Sequence, residues 1–197
     1  MKGILVFSIA LFFITGCAFT RANLDVVYNQ EKAKKGPLSS VKPLNVDMLE
    51  FIDKRSETDK IGYKRNGFGA KTADIVTKQP VAQIVRDALI AEFEKNGHVT
   101  SNSSKDIAIT GEVTTFWFDM QINFATVEFM GTVGVNLSVV NRKTNEALLT
   151  QPYQGHYNEK SMGGYVGTWE RVMNMALERM VNQVSTDPKF IKALQAL

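Results

Sequence analysis

An α+β fold is what this sequence predicts. It reads as a small antiparallel sheet with two main helices packed on one face, in the order strand, helix, three strands, helix, preceded by a signal peptide and a flexible tether. Three patterns predict it. Apolar and polar residues alternate along 127–139, apolar residues recur every three or four positions along 81–93, and residues 1–16 differ in character from everything after them. The chain of 197 residues is 44% hydrophobic and 22% charged, which suits a single domain with a real core.

The N-terminus comes first. Lys2 is a short basic region, and the run from Ile4 to Ile14 is apolar apart from Ser8. That run is too short for a membrane-spanning helix, which takes about 20 residues. It suits the apolar segment of a signal peptide. Ile14-Thr15-Gly16-Cys17 then resembles the bacterial lipobox: an aliphatic residue, a small one, Gly, then Cys. Cleavage before Cys17 would put the chain's single cysteine at the new N-terminus, where its sulfur takes a diacylglycerol. A lone cysteine can form no internal disulfide. By the family rule for such signals, Ala18 in place of Asp favours the outer membrane. The expectation is therefore a signal peptide over 1–16, lipidation at Cys17, and a membrane partner reached through that lipid, with the domain facing the periplasm.

Residues 17–42 read as the lipidated cysteine followed by a basic, flexible linker. Gly36-Pro37 and Ser39-Ser40 act as breakers. Arg21, Lys32, Lys34, Lys35 and Lys42 outnumber Asp25 and Glu31, so the chain's net charge of +3 sits in the linker and the signal. Residues 43–197 form a nearly neutral periplasmic α+β domain. A nucleic-acid-binding domain would carry its basic residues on the fold itself, so no nucleic acid is expected as a partner.

The elements follow in order. Leu44, Val46 and Met48 alternate with polar residues and predict a strand. Residues 53–79 are polar and rich in Gly, Lys and Asp, and read as a long loop. Pro80 suits a first helical turn. Val81, Ile84, Val85, Ala88, Leu89 and Phe93 form one helical stripe, and Asn96-Gly97 stops it. In the next strand Ile107, Ile109, Val113 and Trp117 share one face and Phe116 and Phe118 the other. In the following one Val127, Phe129, Val133, Val135, Leu137 and Val139 face inward. After the turn at 141–145 a third strand runs from Leu148 to Tyr157, with Pro152 marking an edge or a bulge. Thr168 is placed to cap a second helix with Trp169, Val172, Met173, Ala176, Met180 and Val184 on its buried stripe. Asp187-Pro188 opens a short final helix.

With the elements placed, a family resemblance becomes visible. Asp53-Lys54-Arg55, Ile61-Gly62, Asn66-Gly67-Phe68-Gly69, Thr72-Ala73-Asp74-Ile75, Pro80-Val81, Phe93-Glu94-Lys95-Asn96-Gly97 and Asp187-Pro188-Lys189-Phe190-Ile191 occur in that order. With the lipobox, they resemble the YajG-like group of bacterial lipoproteins. That resemblance implies an envelope lipoprotein and supplies no catalytic residues.

The residues themselves offer little chemistry. There is no G-x-S-x-G elbow and no Walker A sequence. His98 and His156 lack partners at ligand spacing, and the carboxylates Asp47, Glu50 and Asp53 read as a solvated cluster. No enzyme activity, cofactor or metal is expected. The candidate contact residues are aromatic. Two glycines push Phe68 outward, and Phe116 and Phe118 would form an apolar patch if the helices cover only the opposite face. The expected role is a noncatalytic accessory or adaptor that binds another envelope protein through the 53–79 loop or that aromatic face. The alternative is a carrier or sensor of lipid or another apolar ligand. The sequence leaves the number of subunits open.

Overall fold

The computed structural model describes residues 19–31, 35–101 and 104–197. The expected signal peptide and Cys17 lie outside the described residues.

Strands β6 (Ile107–Ile122), β7 (Val127–Asn141) and β8 (Ala147–Ser161) form a long antiparallel meander. β7 keeps the inward alternation that the sequence predicts, with Phe129, Val133, Val135, Leu137 and Val139 all buried. The free side of β6 is then filled piecewise. β2 (Val46–Met48) and β3 (Ile52–Asp53) pair with it in parallel, and β4 (Gly62–Arg65) meets it at Phe118. β4 turns back as β5 (Lys71–Thr77), and β1 (Ala22–Leu24) pairs in parallel with β5. Helices α1 (Val81–Lys95) and α2 (Val166–Thr186) lie on one face, and α3 (Pro188–Gln195) follows at once. Asp187 caps α3 by accepting from the Lys189 amide at 2.9 Å, as the Asp-Pro pair suggests.

The small sheet with two main helices is therefore corrected. The described residues form a large mixed sheet of eight strands, in the order β1-β5-β4-β6-β7-β8 with β2 and β3 also on β6, and three α-helices. The strands added to the prediction are β1, β3, β4 and β5; the first three hold only two to four residues, too brief to show a period, and β5 is polar apart from Ala73, Ile75 and Val76. The 53–79 segment, read as a long loop, instead contains the β4–β5 hairpin that widens the sheet. Thr168 is not the cap of α2, because the helix starts at Val166 and Thr168 is buried in its first turn.

The flexible tether is corrected as well, for its described part. Ala22, Leu24 and Val26 are buried, and so are Leu38, within the 3₁₀ turn Pro37–Ser40, and Val41, which follows it. Tyr28 donates from its hydroxyl to Glu92 of α1 at 2.6 Å, and the Gly36 amide donates to Asn96 at 2.9 Å. The segment belongs to the same core as the helices.

A bulge decides which aromatics are inside. Thr114 is left unpaired between Val113, opposite Val135, and Thr115, opposite Gly134. One extra residue exchanges the two faces of everything beyond it. Gly134 makes the room: a Cβ there would lie 3.1 Å from the Thr114 hydroxyl. Hence Ile107, Ile109 and Val113 point inward before the bulge, and Phe116, Phe118 and Met120 after it. The placement of Phe116 and Phe118 on the second face is corrected. Both are fully buried, and Phe118 packs on Phe129 and Trp169 at ring-centroid distances of 6.2 and 5.6 Å.

The other face is polar, and no helix of the described residues covers it. Thr110, Glu112, Asn136, Ser138 and Thr150 line a shallow depression of about 420 Å³ there. β8 is an edge strand, which explains the tolerance of Pro152. Its outward backbone is capped from α2. The Gln154 amide donates to Gln183 at 2.7 Å, and Arg179 donates to the His156 carbonyl at 2.6 Å.

Candidate functional site

Of the three aromatic residues expected to contact a partner, the fold leaves only Phe68 at the surface. It stands at the tip of the β4–β5 hairpin and is 98% exposed. The tip is rigidly built. Asn66 Oδ1 accepts from the amides of Phe68 and Ala70, both at 3.0 Å. Gly69 takes a φ of 81°, which favours glycine. The Gly69 carbonyl accepts from Arg65 at 3.0 Å, and Arg65 is paired with Asp119 at 3.0 Å. Phe68 is thus held out by its turn rather than left loose.

Phe68 has neighbours that sequence reasoning missed. Ala22 is opposite Ile75, Ile75 is opposite Gly62, and Gly62 is opposite Phe118, so these residues lie on one line across the sheet. From that line, a few residues along each strand lead to the same end. β4 reaches Phe68, β6 reaches the Asn123–Thr126 turn, and β1 traced backwards reaches Phe19. Val127 is opposite Ser161, so the connection from β8 to α2 is there too. At this end Phe19 is 70% exposed, Phe124 fully so, Met162 91% and Tyr165 75%. Among the described residues, every large hydrophobic side chain more than two-thirds exposed belongs to this rim. A single exposed apolar residue is ordinary; a group gathered at one end marks a contact surface.

The charges behind the rim neutralise one another. Arg21 pairs with Asp74 at 3.5 Å, Lys160 with Glu128 at 3.7 Å, and Arg171 with Glu159, whose carboxyl the guanidinium holds below the usual carboxylate range. Lys71 lies over the Tyr63 ring at 3.9 Å from its centroid, and Tyr63 meets Trp117 edge to face at 5.8 Å.

Elsewhere the buried polar groups are structural. Tyr28 and Tyr153 donate to Glu92 and Asp187, and burial together with those carboxylates pushes both phenols up. Arg55, 9% exposed, is chelated by Asp53 at 2.8 and 2.9 Å and donates to the carbonyls of Lys60 and Phe116. No group of three or more His, Cys, Asp or Glu able to hold a metal occurs among the described residues. No helix among them is long and apolar enough to cross a membrane.

Comparison with solved structures places the fold among known ones. A crystal structure of a Xanthomonas campestris protein aligns with a TM-score of 0.54 at 12% identity, covering 90% of this chain and 99% of that one. A candidate lipoprotein from Caulobacter crescentus aligns with a TM-score of 0.46 at 10% identity, covering 86% and 100%. A Neisseria meningitidis lipoprotein aligns with a TM-score of 0.33 at 14% identity, covering 74% and 100%. At these identities the first likeness concerns the fold alone, and the other two carry no argument. No curated protein matches the chain. The family model described as an uncharacterized lipoprotein, Lipoprotein_16, matches residues 27–195, from the Tyr28 strap to the end of α3, and the chain belongs to this YajG-like lipoprotein family.

Proposed function

We propose that this lipoprotein is a noncatalytic accessory of the cell envelope. It is lipidated at Cys17, anchored in the outer membrane and facing the periplasm, and it binds another envelope protein close to the bilayer. The observation that carries this reading is the shortness of the leash. β1 begins at Ala22 and is hydrogen-bonded into the sheet. The chain between Cys17 and Ala22 spans at most roughly 17 Å. A lipoprotein that reaches across the periplasm needs a long free tether; this one keeps its body at the surface that holds its lipid. Its partner therefore belongs to that membrane or touches it. The uncovered face of β6, β7 and β8, set with Thr, Ser and Asn hydroxyls and amides, suits contact with a polar protein surface. The space between sheet and helices is filled by Phe116, Phe118, Phe129 and Trp169, which disfavours an internal lipid ligand.

The test uses the full chain in cells, with a photo-crosslinking residue at Ser138 or Thr150. Adducts with one envelope protein are expected, and they should fall severalfold when a flexible Gly/Ser spacer is inserted after Ala18. Crosslinks unchanged by the spacer, or no protein adduct at all, would count against the reading.

A further inference from the structure

The exposed aromatic rim includes Phe19, which follows the expected anchor Cys17 by two residues in sequence. We propose that Phe68, Phe124, Met162 and Tyr165 insert into the head-group layer of the bilayer that carries the Cys17 lipid, so that the domain stands on the membrane on its loop end. This rests on the lipidation reading above.

The argument begins with chain length. Phe19 is at the rim and follows Cys17 by two residues, which span at most about 7 Å. Acyl chains on Cys17 would therefore hold this end of the sheet, and no other, against the bilayer. The side chains found there suit that position. Phe68 and Phe124 are at two adjacent hairpin tips and are 98% and 108% exposed. Met162 and Tyr165 continue the rim beside them, 91% and 75% exposed. Aromatic rings with a polar handle, as in Tyr165, favour the membrane interface. Left in water, the same residues would be a patch with a strong tendency to associate. The tips are also free of steric shielding: a Cβ added at Gly67 or Gly69 would meet nothing within 4 Å.

The pairing of Arg21, Arg65, Lys160 and Arg171 with carboxylates leaves little net charge behind the rim. The attraction is therefore apolar, and it should be almost indifferent to anionic lipid. That separates this surface from a polybasic one, which depends on anionic head groups and weakens with salt.

The experiment uses the mature lipidated chain in vesicles of phosphatidylethanolamine and phosphatidylglycerol. Cys17 is the only native cysteine, and acylation blocks its sulfur. A cysteine introduced by Phe68→Cys, Phe124→Cys, Met162→Cys or Thr144→Cys can then carry a nitroxide label alone. Thr144, exposed in the turn between β7 and β8 at the far end of the meander, is the control. The ratio of collisions with oxygen to those with a water-soluble nickel complex should be severalfold higher at 68, 124 and 162 than at 144. It should change little in vesicles of phosphatidylcholine alone. Labels at the three rim positions as wet as the one at 144 overturn the proposal. Labels shielded from both reagents overturn it too, because they place protein rather than lipid on the rim. The mass of the mature N-terminus, read on the same sample, keeps the two readings apart. Wet labels on a chain that carries the lipid sink the rim and spare the anchor; a chain without lipid sinks the anchor and this proposal with it.

Discussion

Single residues here owe their roles to small shifts of backbone. Phe116 and Trp117 are adjacent, yet the bulge at Thr114 puts one in the core and the other beside Tyr63 on the outer face. Phe116→Ala should destabilise the fold by about 3–5 kcal/mol, the range for emptying a buried aromatic site. Trp117 is half-buried against Tyr63, and Trp117→Ala should cost less, about 1–2 kcal/mol. Urea unfolding of both variants checks this, and equal losses would mean that the bulge is misplaced. Sequence alternation cannot see such a bulge, because both faces of β6 carry aromatics; only Gly134 on the opposite strand gives a local hint. His98 is the second instructive residue. It is 3% exposed, its Nδ1 accepts from the Leu44 amide at 3.3 Å, and its Nε2 faces the Leu38 carbonyl at 3.4 Å. Burial holds its pKa below the ordinary 6.5, against a smaller upward pull from Leu38. The unfolded chain therefore takes up this proton at a higher pH than the folded one. Its contribution is intact above pH 6.5 and is lost as the pH falls from there through the lowered folded value. The urea midpoint should drop between about pH 7.5 and pH 5, and His98→Gln should flatten that slope.

At the scale of elements, the long regular pieces were legible and most of the short ones were not. β7 shows its period over its whole length, and α1 shows its stripe from Val81 to Phe93. β2 was readable from the alternation of Leu44, Val46 and Met48, whereas β1, β3 and β4 carry no period because each holds only two to four residues; β3 and β4 pair with β6, and β1 with β5. Their pairing is a tertiary effect that local pattern does not encode. The candidate site divides in the same way. The glycines around Phe68 announced an outward turn, whereas Phe124, Met162 and Tyr165 became its neighbours only through strand register. The edge strand β8 is also managed by another element, since Arg179 and Gln183 of α2 occupy its outward carbonyl and amide. Removing both side chains would leave those groups open to pairing with a second chain. The double variant Arg179→Ala/Gln183→Ala should keep its fold and show a concentration-dependent dimer in sedimentation. A monomer at all concentrations would show that the caps do not guard the edge.

For the whole molecule, the decisive fact is that the described part of the stretch after the lipobox, residues 19–31 and 35–41, is part of the domain. Its polar composition and breakers suggest a linker, but its few apolar residues are spaced to reach the core singly. Leu24 and Leu38 are fully buried, with Ala22, Val26 and Val41 close to it. β1 also covers the outer edge of β5, with Ala22, Asn23 and Leu24 opposite Ile75, Val76 and Thr77. A free tether would tolerate any substitution at Leu24, since an exposed change in a disordered segment costs almost nothing. An integral strand predicts instead that Leu24→Ala costs about 2–5 kcal/mol, the range for truncating a buried leucine. A chain begun at Val41 loses more, because it removes Leu24 and Leu38 together and bares β5 as a new edge. Its thermal midpoint should fall well below that of a chain begun at Ala18, and the β5 amides should exchange fast with solvent water. Equal midpoints for the two chains would return residues 18–40 to the status of a spacer. The short leash would then be gone, and with it the reason for the domain to stay at the membrane surface.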